Sequence, residues 1–491
     1  MTSSYRQITH STTVFGMVSL IDIVLRIIRV KFVAVILGPA GIGLLALYQS
    51  FVHMATSIAG MGMDTSAVRQ LSHARGRNDQ AMIAHATSAV NIAAVLLGLA
   101  GAIVIFVWRD LIAIRLLDDA SRAGAVGWLA VAVFASVSGA SFSTRLRGHR
   151  LIRELAAVRV ATAVAATLAA VVLVYMLGQK GILPLVLAVP VAAALFGAML
   201  ARKIPVSTQA LNRGAISGQM EKIFKQGFLI MLAAALMSLA VLGVLAGVNR
   251  VYGLEGAGIF QAAWAVSFVY MGFILEAMGT DYFPRLTEAT ESGEDVVRLI
   301  NEQIHAALLM GAPLLVGMIA FAPLLVQVLY SSEFSAAARV IQWMAFGNLV
   351  KLAGWPVGFI FVAKGRNGIF LLTQIEWVVV FLLGAWIGTK HFGIEGLGMA
   401  FSAVYLFHIG LVCFFARKVV AFRFTRSNLQ IFSLLLACCV LLFCLSRISV
   451  AASYITGALA IAVFSVFAYK TLKALLGHSP LARLGLGSGS G

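Results

Sequence analysis

The chain has 491 residues, 61% of them hydrophobic and only 11% charged, with a formal net charge of +18. A soluble domain carries about 25% charged and about 45–50% apolar residues, so a water-soluble enzyme or binding module is excluded. Apolar runs of about 20 residues, enough to cross a hydrocarbon core, identify an all-α polytopic membrane protein.

Fourteen spans are predicted, at 13–36, 41–62, 82–107, 126–145, 154–177, 181–201, 225–248, 257–281, 305–329, 339–362, 368–388, 394–416, 428–446 and 449–472. The first contains Asp22, Arg26 and Arg29, with no small-residue cleavage site behind it, which argues against a removable signal peptide. Between the first and second spans the chain reads LGPAGIGL (37–44). Between the seventh and eighth it reads YGLEGAGI (252–259), the same GxxGxG phrase 215 positions on. Gly178 and Gly181 of LGQKGIL map at that spacing onto Gly393 and Gly396 of FGIEGLG. GMDTSAVRQL is echoed by GTDYFPRL, which aligns Asp64 with Asp281 and Arg69 with Arg285 within a residue or two. RLRGHR (145–150) is echoed by VAKGRN (362–367).

Four landmarks in one order imply a duplication. The expected organisation is a six-helix lobe over 1–203, a connector at 204–223, a second six-helix lobe over 224–418, and an additional helix pair with a tail over 419–491. An even number of spans per copy relates the lobes by a pseudo-twofold axis along the membrane normal. The glycines are expected to supply positive φ and close helix approach at the turns. The acidic segment 287–303 reads as a solvated amphipathic helix.

Of the 37 Lys and Arg, 23 fall in segments on the N-terminal side of the membrane and eight on the opposite side, with Arg145, Arg339 and Lys470 at span ends counted among them, and six others lie within spans. That bias places both termini in the cytoplasm. The positive charge is thus a topology signal and an attraction to anionic lipid, not a sign of a nucleic-acid partner. The four cysteines, Cys413, Cys438, Cys439 and Cys444, lie in spans without metal-ligand spacing, so neither a metal nor a cofactor is expected. The dipeptide Gly-Lys never occurs, which excludes a Walker A loop. HExxH, CxxC and GxSxG are absent too. The longest outer segment, 108–125, is too short for an extracytoplasmic catalytic domain, which weighs against a polysaccharide polymerase or ligase. The reading is therefore a transporter rather than an enzyme, driven by an ion gradient, the membrane potential or the substrate gradient.

An ionisable residue at mid-membrane costs about 2.5–3.5 kcal/mol on insertion scales and normally faces a cavity or a partner. Lys31, Arg159 and Lys225 lie near span ends and can snorkel. Arg26, Arg29 and Lys351 are deeper. Asp22, Arg26 and Arg29 share one helix face at i, i+4, i+7, and one carboxylate cannot neutralise two guanidinium groups. Asn348 lies on the stripe of Lys351. Such a cavity wall prefers an anion, and guanidinium suits bidentate phosphate contact. Gln49 and His53 share a face of the second span, where an interhelical hydrogen bond or a proton-carrying role for His53 are the alternatives. In the eighth span Gln261 and Trp264 occupy the places of Ala46 and Gln49; the amide and indole suit a sugar, although Trp also serves packing. Asp22 and Glu376 are candidates for ion coupling, Glu376 being the deeper acid of the second half.

The LGPAGIGL turn, its two echoes and the K/R-G-R/H exits resemble the multidrug/oligosaccharidyl-lipid/polysaccharide flippase superfamily over about residues 10–420. FVAVILGPAGIGLLALYQSF and VRQLS (68–72) are similar to its Wzx-type O-antigen and exopolysaccharide translocases. The resemblance implies two lobes around a central cavity and alternating access. The implied substrate is an undecaprenyl-diphosphate-linked glycan moved across the bacterial inner membrane, coupled to H+ or Na+, with a polysaccharide polymerase and a chain-length regulator as further partners. On it, Arg26, Arg29 and Lys351 would hold the diphosphate. Gln49, His53, Gln261, Trp264 and Asn348 would meet sugar, and Asp22 or Glu376 would carry the coupling ion. A thirteenth and fourteenth helix depart from the twelve-helix plan and resemble the MurJ-type lipid II flippases; a lipid II flippase and a drug/cation antiporter of the same fold remain alternatives.

Overall fold

The computed structural model describes residues 2–77, 79–149, 151–204 and 212–477, with side chains from Ile21 onward except at 269, 270, 273, 276, 277, 280, 472 and 474–477. Most of the connector and the Gly/Ser-rich tail lie outside the described residues. Fifteen α-helices follow in order: α1 (Thr2–Ala59), α2 (Met63–Gly76), α3 (Gln80–Val107), α4 (Arg109–Leu117), α5 (Ala123–Gly148), α6 (Ile152–Leu177), α7 (Ile182–Ala201), α8 (Arg213–Ser292), α9 (Val296–Ala320), α10 (Ala322–Leu329), α11 (Ser335–Ala363), α12 (Asn367–Phe392), α13 (Gly396–Val420), α14 (Arg426–Ile448) and α15 (Val450–Gly477). Ten stretches of described residues are apolar and long enough to cross a membrane. Four of these, 21–59, 152–201, 213–268 and 367–420, are interrupted at Gly38, 178–181, Gly253 and 393–395. Among the described residues this gives fourteen helical segments of membrane-crossing character, the number the sequence predicts.

Three boundaries differ from expectation. The predicted span 305–329 is broken at Phe321: α9 starts nine residues earlier and ends at Ala320, and α10 is a separate short helix. The acidic segment 287–303 is helical but split, because Gly293 adopts φ +77°. Asp295 then caps α9 by accepting from the Arg298 amide at 3.0 Å. Thirdly, α2 occupies what the sequence leaves as a loop, burying Met63, Ser66, Ala67, Gln70, Leu71 and Ala74 along one stripe.

The repeated glycines have repeated geometry. Gly38 sits at φ 61°, ψ −169° and Gly253 at φ 67°, ψ −174°, a region open essentially to glycine alone. Gly178 and Gly393 likewise have positive φ. The third glycine of each phrase serves a different need. A Cβ on Gly43 would collide with the carbonyl oxygen of Leu254, and one on Gly258 with that of Pro39. Pro39 and Leu254 are themselves 215 apart, so the contact is reciprocal, as a twofold relation requires. Nearby segments repeat the pattern: Arg250 donates to the Arg115 carbonyl at 3.0 Å, and Lys31 to that of Tyr330, again 215 residues on.

The chain divides into two compact units, Met1–Gln261 with Leu329–Glu333, and Ala262–Val328 with Phe334–Gly491. Packing therefore divides the chain at a different point from the repeat, because both glycine hairpins are held together in the first unit. In the second unit, α14 and α15 pack on α9. Asn428 donates to Asn301 O at 2.9 Å, and Asn301 in turn donates to Arg423 O at 2.9 Å. At the other end of α14, Arg447 reaches Glu395 at 3.1 Å, and Glu395 also binds Arg339 at 2.8 Å. The additional pair is thus tied down at both ends.

Replacing Gly43 or Gly258 by Ala should each lower stability by about 1–3 kcal/mol through overpacking, and the double variant should cost less than the sum, because both remove one contact. Gly218→Ala, on α8 with nothing within 4 Å of the new Cβ, should be neutral. Thermal unfolding of the detergent-purified proteins measures this; additive losses would contradict a shared contact.

Candidate functional site

In the first unit, α1 presents the predicted charged stripe. Arg26 donates to Asp22 at 3.1 Å, and the two side chains remain 49% and 41% exposed. An exposed i, i+4 pair of this kind contributes only about 0.3–0.5 kcal/mol. Arg29, one turn further along, is half-buried with no carboxylate at ion-pair distance among the described residues. The stripe therefore keeps a net positive charge. On the second limb of α1, Gln49 and His53 are exposed. His53 Nδ1 lies 3.0 Å from the hydroxyl of Ser238 on α8, the interhelical hydrogen bond that was one of its two predicted roles. Gln261 is half-buried on α8.

The remaining predicted residues belong to the second unit. Trp264 is 8% exposed and stacks on Phe268 at 5.0 Å and on Phe381 at 5.8 Å, with Phe401 edge-on. In this arrangement its ring faces are taken by aromatic neighbours rather than presented to a ligand. Beside this cluster the Lys351 ammonium lies 4.3 Å above the Phe268 ring and 5.6 Å from that of Tyr405. Such contacts return about 0.5–2 kcal/mol of desolvation and leave the charge unneutralised. No described carboxylate reaches Lys351; the side chain of Glu276 lies outside the described residues. Asn348 is fully buried, donating to Ser267 O at 3.3 Å while its own carbonyl oxygen and the Ser267 hydroxyl find no partner. Buried orphan atoms are few in native proteins, so a cluster of them next to an ammonium marks a polar site within an aromatic core.

Glu376 on α12 has a partner that sequence reading missed. Its Oε2 is 2.9 Å from His408 Nδ1 on α13, both side chains being under 20% exposed, while Oε1 is buried without a partner. The signal was available: Glu376 lies seventeen residues before Gly393 and His408 fifteen after it, so the turn at Gly393 puts them at equal depth on antiparallel neighbours. The structure thus groups Lys351, Asn348 and Trp264 in one cluster, connects that cluster through Tyr405 to the Glu376–His408 pair, and keeps the α1 stripe in the other unit.

The family model for polysaccharide biosynthesis proteins matches residues 32–339. The chain belongs to that family. Among curated relatives of this polysaccharide biosynthesis protein, the lipid III flippase of Escherichia coli (strain K12) is 21% identical over 396 residues, covering 78% of this chain and 92% of the relative. Among solved structures, the lipid II flippase MurJ in an inward closed conformation superposes with a TM-score of 0.73 at 13% identity, over 93% of this chain and 99% of that one. An inward-facing multidrug resistance transporter of the same superfamily gives 0.70 at 15% identity, over 81% and 94%. The fold implied by the resemblance read from the glycine phrases is thus the fold of these structures. Flippases and drug transporters share this frame, so it does not choose a cargo.

His408→Phe should leave the Glu376 carboxylate buried alone and cost about 3–5 kcal/mol, whereas Glu376→Leu combined with His408→Phe should recover most of it. Melting temperatures of the three variants check this; a single variant as stable as wild type would mean the two side chains do not form a buried pair.

Proposed function

We propose that this protein is a flippase for a lipid-linked oligosaccharide, carrying an undecaprenyl-diphosphate-linked O-antigen or exopolysaccharide repeat unit across the bacterial inner membrane by alternating access between two lobes. The observation that carries the reading is the sign of the deep charge. Arg29 and Lys351 lie within spans without a carboxylate among the described residues, and Arg26 has one that remains half exposed. A guanidinium facing lipid would be costly, so the exposed α1 stripe belongs against a polar space, and a diphosphate supplies the missing negative charge. The lipid III flippase relative supports a cargo of this class.

The Lys and Arg bias sets both termini and the α2 side of the membrane in the cytoplasm. Gln49, His53, Gln261 and Asn348 are the sugar-contacting candidates, with Trp264 contributing once its aromatic neighbours move. Glu376 with His408, or Asp22, would carry the coupling ion, H+ or Na+. A drug/cation antiporter, which shares the fold, would instead pair its deep cations and leave a lone acid facing the cargo. Among the described residues of this chain Glu376 is paired with His408 and Arg29 has no carboxylate at ion-pair distance.

Arg29→Gln combined with Lys351→Gln should reduce complementation of a flippase-deficient strain at least tenfold at unchanged protein level. Normal polysaccharide in that double variant would overturn the proposed cargo site, and drug resistance conferred by the wild-type protein would favour the antiporter.

A further inference from the structure

The RLRGHR stretch, which the transport reading leaves unused, closes α5 beside α2. Gly148 makes the junction possible: a Cβ there would stand 2.7 Å from Leu71 Cβ and 2.8 Å from its Cδ1, well inside contact distance. Without that Cβ, Leu71 is only 1% exposed, and the residue one turn beyond it, Arg75, donates to the His149 carbonyl. Arg145 comes from the same end of α5, its carbonyl accepting the His149 amide at 2.9 Å. The fold thereby gathers two guanidinium groups and an imidazole at one point, with Arg147 exposed alongside.

Among the described residues no carboxylate is at ion-pair distance from them. Glu221 of α8, which packs on α2, pairs with Lys225; the acids nearest in the chain are Asp64 at the start of α2, Asp79 capping α3 and Glu154 opening α6. Asp64 is exposed and contributes only its backbone carbonyl, 3.5 Å from the Thr144 hydroxyl. Asp79 accepts from the Met82 amide at 2.9 Å, and Glu154 pairs with Lys203 at 3.5 Å. Arg145 makes one side-chain bond, to Asn91 at 3.2 Å. Its Nε and the Nε2 of His149 are buried without any partner. A buried guanidinium donor and a buried imidazole nitrogen without partners cost free energy unless a polar group joins them, and an anion oxygen accepts from the guanidinium. Burial, with the charges of Arg75 and Arg145, pushes the His149 imidazole below its ordinary range; a bound anion would act in the opposite sense. Among the described residues the arrangement occurs once. In the second copy α8 continues from its Gly253 kink to Ser292 without a further break, so no separate helix corresponds to α2, and Lys364 and Arg366 of VAKGRN are exposed.

We propose that Arg75, Arg145 and His149 form a binding site for the phosphate of a lipid headgroup at the membrane surface, distinct from the deep cations. Guanidinium groups match phosphate oxygens bidentately, and a site at the end of a span lies at headgroup level. The proposal rests on the transport reading only in placing this side of the membrane in the cytoplasm. Two lipids present the chemistry: the diphosphate of the glycan carrier as it arrives, and an anionic phospholipid of the surrounding leaflet.

Detergent-purified full-length protein, titrated separately with undecaprenyl diphosphate and with dioleoyl phosphatidylglycerol and read by native mass spectrometry, tests the site. Arg75→Gln with Arg145→Gln should weaken phosphate-lipid binding about tenfold or more, Arg75→Lys with Arg145→Lys by less, and Gly148→Ala should weaken it without altering any charge. Loss confined to undecaprenyl diphosphate identifies the carrier as the ligand, and an equal loss of phosphatidylglycerol identifies the bilayer lipid; either supports the site. Wild-type binding of both lipids by the Gln double variant overturns it. Should that variant not purify as a monodisperse protein, Arg75→Gln alone, at an exposed side chain, carries the same comparison. The Arg29→Gln, Lys351→Gln variant is run alongside. If it still flips cargo and keeps wild-type lipid binding while the Arg75→Gln, Arg145→Gln variant loses that binding, the deep-cation reading fails and this site stands.

Discussion

Hydrocarbon offers no hydrogen-bond partner, and that constraint shapes everything else in this molecule. Backbone groups crossing it must be satisfied within a helix, so the chain can change direction only at the edges, in as few residues as possible. Glycine phrases meet that demand. Gly38 and Gly253 turn the chain through a conformation that side chains forbid. Gly43 and Gly258 then let the returning helices approach until backbone meets backbone. Between helices in lipid, where no hydrophobic force favours association, such close packing is a principal source of attraction.

The same constraint sorts the charges. Each ionisable side chain within a span must have a partner, a polarisable neighbour or access to a polar space, and the described ones fall into those classes. Glu376 has His408, Arg26 has Asp22, and Lys351 has aromatic faces. Arg29 has only the fields of its neighbours, and the face it shares with Arg26 is partly open. Paired groups conceal their charge; the others leave positive potential on the protein. Under the proposed transport reading, an anionic cargo is the complement to such a potential, as electrostatic complementarity favours one partner over another.

What was legible in the sequence follows from what repeats or alternates there. Span number and the turn glycines could be read because hydrophobic length and a period of 215 are local signals. The helix α2 was missed although its buried stripe at Met63, Ser66, Ala67, Gln70 and Leu71 has helical spacing, because a surface helix is too short and polar to stand out among apolar spans. The break at Phe321 was invisible for the opposite reason: α9 and α10 are both apolar, so hydropathy runs through it. Asp22 with Arg26 could be read because both lie on one helix, four residues apart. Glu376 with His408 could not be read from either helix alone; it required the depth of two residues measured from a common turn. The stacking of Trp264 on Phe268 and Phe381 depends on tertiary packing, which no spacing encodes.

The duplication itself separates frame from site. Adding 215 to Gly38, Gly41, Gly43, Gly178 and Gly181 returns glycine each time. The same step from Asp22, Arg26 and Arg29 returns Met237, Val241 and Val244, and the reverse step from Lys351, Glu376 and His408 returns Ser136, Ala161 and Ala193. Gln49 and His53 correspond to Trp264 and Phe268, which place two polar side chains of the first copy where the second has an aromatic stack. A position that must be glycine for the chain to turn is needed in both copies, because both copies turn. A charge that meets a cargo is needed only where the cargo's own charge arrives, and a lipid-linked diphosphate has its charge at one end. An asymmetric ligand thus calls for an asymmetric lining inside a symmetric scaffold. The residues that break the 215-residue period are, on this physical ground, the ones to associate with function, and the residues that keep it are the ones to associate with the fold.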